Sequence, residues 1–352
     1  MSKYWSKLVT RLEPYVPGEQ PQDQQYIKLN TNENPYPPSP KVLAALKESI
    51  DGSLRLYPDP NSSQLKQAIA EYYKVAIEEV FVANGSDEVL AVTFQAFFTN
   101  DKPLLFPDIS YSFYEVYCKL YDIDEKRVPL DADLSINLDH YSIENGGVIF
   151  PNPNAPTGKA LPLSAIKKYL EENNKTVVVV DEAYVDFGAE SVIPLTKIYP
   201  NLLSIQTFSK SRSLAGSRIG YAIGNKSLIE ALERVKNSYN SYTLDKLALI
   251  AGTVSIKDTD YFQKTVNTII ATREETITQL QALNFSIIPS CTNFVFAQHN
   301  SIDAETLYMQ LKASGILVRY FKRDRIDNYL RITIGTDNEM KTFVQRLNEL
   351  IP

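Results

Sequence analysis

The chain has 352 residues, 44% hydrophobic and 22% charged, which are ordinary proportions for a globular protein with one large core and a smaller second domain. A net charge of −6 gives no footprint for nucleic acid. No apolar run approaches the ~20 residues of a membrane span, and the opening MSKYWSKLVTRLEPYVPGEQP lacks the apolar core of a signal peptide.

Two distant cysteines, Cys118 and Cys291, and two histidines, His140 and His299, argue against a disulfide framework, a metal site or a histidine triad. They fit a cytoplasmic protein. Residues 1–35 read as an arm, because Pro14, Pro17, Pro21 and Pro35 break any long helix. Yet Tyr15 and the run LNTNENPYP offer aromatic and amide groups that a plain linker does not need.

From Ser39 onward helices and strands alternate. A helix is expected over 40–50, with Ser39 as its cap and Pro40 in its first turn. The prolines of LRLYPDPNSS force an extended segment carrying Tyr57, and Ser62 or Ser63 caps a helix running to about residue 75. A strand over 80–83 leads into Asn84-Gly85-Ser86-Asp87-Glu88, with Ser86 the expected cap of a helix to about Phe98. Such a turn offers backbone N–H groups to an anion. Strands over 103–106 and 147–150 follow, with an edge strand over 128–130. Tyr111 lies just beyond the first of these, and the irregular loop PNPNAPTG projects Asn154 beyond the 147–150 strand. A helix over 162–173 precedes TVVVV at 176–180, a β-branched run suited to a central strand buried on both faces. It ends in Asp181-Glu182-Ala183-Tyr184. A strand over 202–208 delivers Lys210 within TFSKSRSLAGSRIGY, where Arg218 precedes a strand over 219–223. Helical text follows over 226–239.

Beyond residue 244 the order changes. Helical text runs to 283 with a break near 257–261. Strands over 285–288, 293–297, 316–319 and 329–334 then mix with a helix over 303–314 and a last helix from 338. The expected division is an arm (1–35), a large α/β domain with a mostly parallel central sheet (36–244) and a smaller α+β domain (245–352). In open sheets of this kind ligands bind beyond the carboxyl ends of the strands. Gly85 and Ser86, Tyr111, Asn154, Asp181 and Lys210 all directly follow expected strands, and so share one edge.

A lysine amine forms a Schiff base with an aldehyde. Pyridoxal phosphate (PLP) is the aldehyde cofactor whose parts would use the other groups. Gly85, Ser86, Thr207, Ser209 and Arg218 suit its phosphate. Asp181 suits its ring nitrogen, Tyr111 its ring face, and Asn154 and Tyr184 its phenolic oxygen. Each residue alone has a plainer reading: Asp181 as a cap or turn residue, Asn154 as a turn former, the tyrosines as two of 22, Arg218 as a loop residue, Cys118 as an inert helix thiol. Order and position together carry the argument.

With LNTNENPY, LYPDP, ANGSDE, PNPNAPTG, DEAYVDF, TFSKSRSLAGSRIGY and YLRITIGT, nearly the whole chain resembles the fold-type-I PLP-dependent aminotransferases. It is most similar to their histidinol-phosphate branch, which in turn is similar to branches acting on aromatic amino acids and to threonine-phosphate decarboxylase. The resemblance implies a homodimer that exchanges an amino group between L-histidinol phosphate and 2-oxoglutarate, giving glutamate. In it Lys210 carries the cofactor and moves the proton, Asp181 pairs with the ring nitrogen, and Tyr57 reaches the cofactor phosphate from the partner subunit. Arg331 and Arg319 receive the substrate carboxylate or phosphate, with Tyr15 of the partner's arm beside them. Two departures stand out: Ala155 replaces a second asparagine of the loop, and RYFKRDRIDNYLR carries added Lys322, Arg323 and Arg325, read as a solvated loop.

Overall fold

The computed structural model describes residues 2–15 and 18–351; Pro17, one of the arm's helix breakers, lies outside them. A seven-stranded sheet runs in the order Val80–Asn84, Ile219–Gly224, Leu202–Thr207, Val178–Asp181, Gly147–Pro151, Leu104–Pro107, Glu125–Val128. Every neighbouring pair is parallel except those made by Ile219–Gly224, which runs antiparallel to both its neighbours. This reversal places the start of that strand, with Arg218 before it, at the edge where the other strands end.

The β-branched run forms the centre of the sheet. Val179 faces a core with Ile149, Leu203 and Ile205, roofed by Val89 and Phe94 of helix Gly85–Phe97 and Leu232 of helix Lys226–Tyr239. Val178 and Val180 face the other side, with Phe150 and with Ile166 and Leu170 of helix Leu163–Glu172. Both faces are therefore dry, which explains why these strands read as continuous apolar runs.

The second sheet is antiparallel, in the order Arg319–Tyr320, Leu330–Thr333, Phe294–His299, Phe285–Ile288. Helices Thr259–Ala282, Ala304–Ala313 and Asp337–Leu350 supply Ile269, Leu307 and Phe343 to its core. The fold is thus α/β with a large, mostly parallel sheet and a smaller α+β unit. Among the described residues no helix is long and apolar enough to cross a membrane.

Several local expectations shift. The edge strand lies at Glu125–Val128, three residues before the expected start, since edge strands carry the weakest apolar pattern. Ser62 sits in the left-handed region and makes no side-chain cap; Asp59 accepts from the Ser63 N–H at 2.7 Å instead. Ser86 is also no cap, because helix Gly85–Phe97 starts one residue earlier with no side chain capping it. The expected strand over 316–319 divides: Ile316–Leu317 pairs in parallel with Ile27–Lys28, and Arg319–Tyr320 joins the four-stranded sheet. The second half of the arm is therefore packed, with Leu29, Asn30 and Asn32 buried.

Candidate active site

Beyond the carboxyl edge of the large sheet lies a cavity of about 260 Å³. It is lined by Ser86, Tyr111, Asp181, Tyr184, Thr207, Ser209, Lys210 and Arg218, and by Arg319, Arg331 and Tyr15 from outside that sheet. Of the residues expected at the site, only Gly85, Asn154 and Tyr57 do not line it, and the first two lie just behind its wall.

The anion end is built by close backbone approach. Gly85 has φ +80°, and a Cβ there would come within 2.5 Å of the Arg218 guanidinium. A Cβ on Gly220 would meet the Gly85–Ser86 backbone at 2.3 Å. Two glycines thus let the uncapped helix start, the strand at 219–224 and Arg218 converge on one small space. Asp87 organises this end: it takes the Arg218 Nη2 at 3.0 Å and the Tyr111 hydroxyl at 2.8 Å. Burial first, then the Asp87 charge, push the Tyr111 phenol well above its ordinary pKa. Arg218 also reaches the Ser209 hydroxyl at 3.5 Å, and the Ser209 N–H donates to Thr207 Oγ1 at 3.1 Å.

Lys210 extends from the loop after strand Leu202–Thr207. Its Nζ donates to the Thr31 carbonyl at 3.2 Å and lies 5.8 Å from the Tyr184 ring centroid. The loop is held on three sides. The Asn34 amide donates to the Lys210 and Ser211 carbonyls at 3.0 and 3.2 Å. Ser211 donates to half-buried Asp186, and Arg212 donates to the Ser255 carbonyl at 2.7 Å while packing 4.0 Å over Phe262.

Asp181 ends the central strand. Its carboxylate accepts from the Tyr114 hydroxyl at 2.9 Å and the Ala183 N–H at 3.2 Å. Burial raises its pKa from 3.8 to about 6, only partly opposed by those two bonds. A carboxylate held this way in a dry site is stabilised by a cation brought to it. Asn154 is buried and donates both amide protons, to the Ile109 carbonyl and Thr157 Oγ1, each at 3.1 Å. Its carbonyl oxygen is buried without a partner among the described residues, so the group it leaves unspent is an acceptor rather than a donor. The Tyr184 hydroxyl receives the Asn32 amide at 2.9 Å.

Arg331 and Arg319 are direct cross-strand neighbours. Arg331 donates to the Asn30 carbonyl at 3.0 Å, and its Nε has no partner among the described residues. Burial, with Arg319 adding to it, lowers its pKa. The chain's own Tyr15 stacks on Phe113 at 4.5 Å, 6.5 Å from Tyr111, so the chain's own arm occupies the place expected of a partner's. Tyr57 is 82% exposed and stacks on Tyr242 at 4.6 Å, away from the cavity.

Sequence reading missed Asp87, Tyr114 and the Asn30–Asn34 amides as functional groups. The amides had a signal, in a polar run too rich in asparagine and tyrosine for a linker. Tyr114 had none, because its hydroxyl reaches Asp181 only through helix packing.

The profile of aminotransferase class I and II matches residues 24–347. The histidinol-phosphate aminotransferase of Clostridium acetobutylicum is 56% identical over 351 residues, covering 100% of each chain. Histidinol-phosphate aminotransferase 1 of Hydrogenovibrio crunogenus is 57% identical over 351 residues, covering 100% of this chain and 99% of its own. The crystal structure of histidinol-phosphate aminotransferase from Sinorhizobium meliloti, in complex with pyridoxal-5'-phosphate, shares the fold with TM-score 0.90 at 23% identity, covering 100% of this chain and 98% of that one. A glycine-cradled anion site, a lysine on a clamped loop and a buried carboxylate at a strand end thus stand in a chain matched along almost its whole length, and it belongs to the class I and II aminotransferases.

Proposed function

We propose that this chain is a PLP-dependent histidinol-phosphate aminotransferase, transferring an amino group reversibly between L-histidinol phosphate and 2-oxoglutarate in cytoplasmic histidine biosynthesis. The observation that carries this reading is a cavity with two separate cationic poles. Arg218 stands with the helix start at one, and Arg319 and Arg331 form the other on the smaller sheet. One pole suits a cofactor phosphate and the other a substrate phosphate or carboxylate. Relatives of that name at 52–57% identity over the full chain support it.

The residues fit the cofactor. The Gly85–Gly220 cradle, Ser86, Thr207, Ser209 and Arg218 would hold its phosphate. Tyr111 would face the ring, the Tyr184 hydroxyl, its proton free while it accepts from Asn32, would donate to the phenolic oxygen beside Asn154, and Asp181 would hold a proton on the ring nitrogen. When bound, PLP supplies an aldehyde that exchanges with the substrate amine and a protonated ring that takes up electrons released at the substrate carbon. Lys210 Nζ would anchor the cofactor and, once free, would move the proton between the amine-bearing carbon of the substrate and the cofactor's former aldehyde carbon. The Tyr184 ring and the Thr31 carbonyl orient Nζ. Arg331, half-buried with a buried Nε that has no partner among the described residues, would bind the anionic end of either substrate. Exposed Tyr57 would complete the phosphate site of a second subunit in a homodimer.

The test is a single turnover without keto acid. PLP-loaded protein mixed with L-histidinol phosphate should pass to the amine form of the cofactor and release imidazole-acetol phosphate. No change with this substrate, but conversion by phenylalanine or tyrosine, would replace the reading with an aromatic aminotransferase. Carbon dioxide from threonine phosphate would replace it with a decarboxylase.

A further inference from the structure

The basic run after Arg319 reads in sequence as surplus charge, yet two of its arginines are spent on one carboxylate-bearing residue of the large sheet. Arg325 Nη1 meets Asp108 Oδ2 at 3.0 Å, and its Nη2 donates to the Leu130 and Asp131 carbonyls at 2.8 and 2.9 Å. Arg323 donates to the Asp108 carbonyl and lies 3.8 Å from Glu115. Lys322 meets Glu305 at 3.8 Å. Between them Ile326 is buried in the large sheet's core beside Leu105 and Val148. Arg325 itself has φ +69°, a left-handed conformation that a non-glycine residue keeps only where its contacts over-determine it.

The grip falls on a short segment with duties in the site. Asp108 Oδ1 accepts from the Ile109 and Leu130 N–H groups at 2.8 and 2.9 Å, closing a turn. The Ile109 carbonyl receives the Asn154 amide, and Ser110, Tyr111 and Ser112 line the cavity. The gripping loop begins at Phe321, which lines the same cavity beside Arg319. One clamp therefore fastens the strand pair carrying Arg319 and Arg331 to the segment carrying Tyr111 and supporting Asn154.

We propose that Arg325 and Asp108, with Arg323, are positioning residues that hold the substrate-anion arginines in register with the cofactor-facing residues; the substrate part of this rests on the function proposed above. None of the three touches the reacting atoms. Their effect is to fix the distance between the two cationic poles, and so the length of substrate that spans them.

Two variants test it from opposite sides. Arg325→Gln removes the charge and the reach to the two carbonyls. Asp108→Asn keeps Oδ1 for the Ile109 and Leu130 N–H groups but turns an amide toward Arg325, so the turn survives while the charge pair of the clamp is lost. Hydrogen exchange on the full chain, with and without PLP, should show residues 321–329 and 108–111 exchanging about five-fold faster together in both variants. KM for L-histidinol phosphate should rise about five- to ten-fold, with a smaller fall in kcat. Faster exchange confined to 321–329 in both variants, or an unchanged KM, would overturn the coupling. A wild-type chain that does not turn over L-histidinol phosphate would overturn the proposed function alone, since the exchange experiment still decides whether the clamp joins the two segments.

Discussion

Replacing Asp181 with asparagine should stabilise the cofactor-free protein at neutral pH while destroying its use. Asp181 is 5% exposed, and burial raises its pKa from 3.8 to about 6 despite the Tyr114 and Ala183 hydrogen bonds. Below pH 3.8 the group is protonated in both folded and unfolded chains, and it costs nothing. Between 3.8 and about 6 the folded chain keeps a proton that the unfolded chain has released, so stability falls as pH rises. Above about 6 the loss is complete, and at roughly 1.4 kcal/mol per pH unit it amounts to about 3 kcal/mol. Asparagine has the same outline. Its oxygen can still accept from the Ala183 N–H, and its amide can donate to the Tyr114 hydroxyl. The stability difference between Asp181→Asn and the parent should therefore be near zero at about pH 4 and approach ~3 kcal/mol in favour of the variant at about pH 7.5. Glu182, also raised to about 6 by burial, contributes equally to both chains and cancels. Urea unfolding at fixed protein concentration, cofactor removed, measures this. With PLP added the order should reverse, because the asparagine offers no counter-charge to a ring nitrogen. A cofactor-free variant less stable than the parent at about pH 7.5, or a difference that does not change with pH, would refute the reasoning.

Gly220→Ala should lower PLP affinity by at least about ten-fold in a spectral titration, since its methyl group would press on the Gly85–Ser86 backbone at 2.3 Å, where no flexible side chain can yield; unchanged affinity would remove the cradle from the cofactor site. Inactive Tyr57→Ala and Lys210→Ala chains, unfolded and refolded together, should regain activity through one intact site in each mixed dimer. Verified mixed dimers without recovery would show that Tyr57 does not serve its partner's site.

The chain alone determined the α/β class, the central strand and the catalytic edge. Those features follow from local physics: β-branched runs such as TVVVV need burial on both faces, and the turns after them must lie beyond the same ends of parallel strands. Lys210, Asp181 and Ser209 were legible because each directly follows an expected strand, over 176–180 or 202–208, and Thr207 lies at the end of the second of these. Arg218 was legible by its spacing, although only the antiparallel course of Ile219–Gly224 explains how it returns to that edge.

What depended on contacts distant in sequence was not legible. Tyr114 meets Asp181 across 67 positions, Asn32 meets Tyr184 across 152, and Arg325 meets Asp108 across 217. A hydrogen bond between two side chains leaves no periodicity in either segment, so the sequence singled out neither Tyr114 nor the partner of Asn32, and read Arg325 as part of a solvated loop. The basic run 322–325 shows the difference most clearly. Its charge was visible in the sequence, but whether that charge faced water, a substrate or Asp108 was decided by the packing of Ile326 into the large sheet's core, which brings Arg325 to the Asp108 carboxylate and Arg323 to its carbonyl.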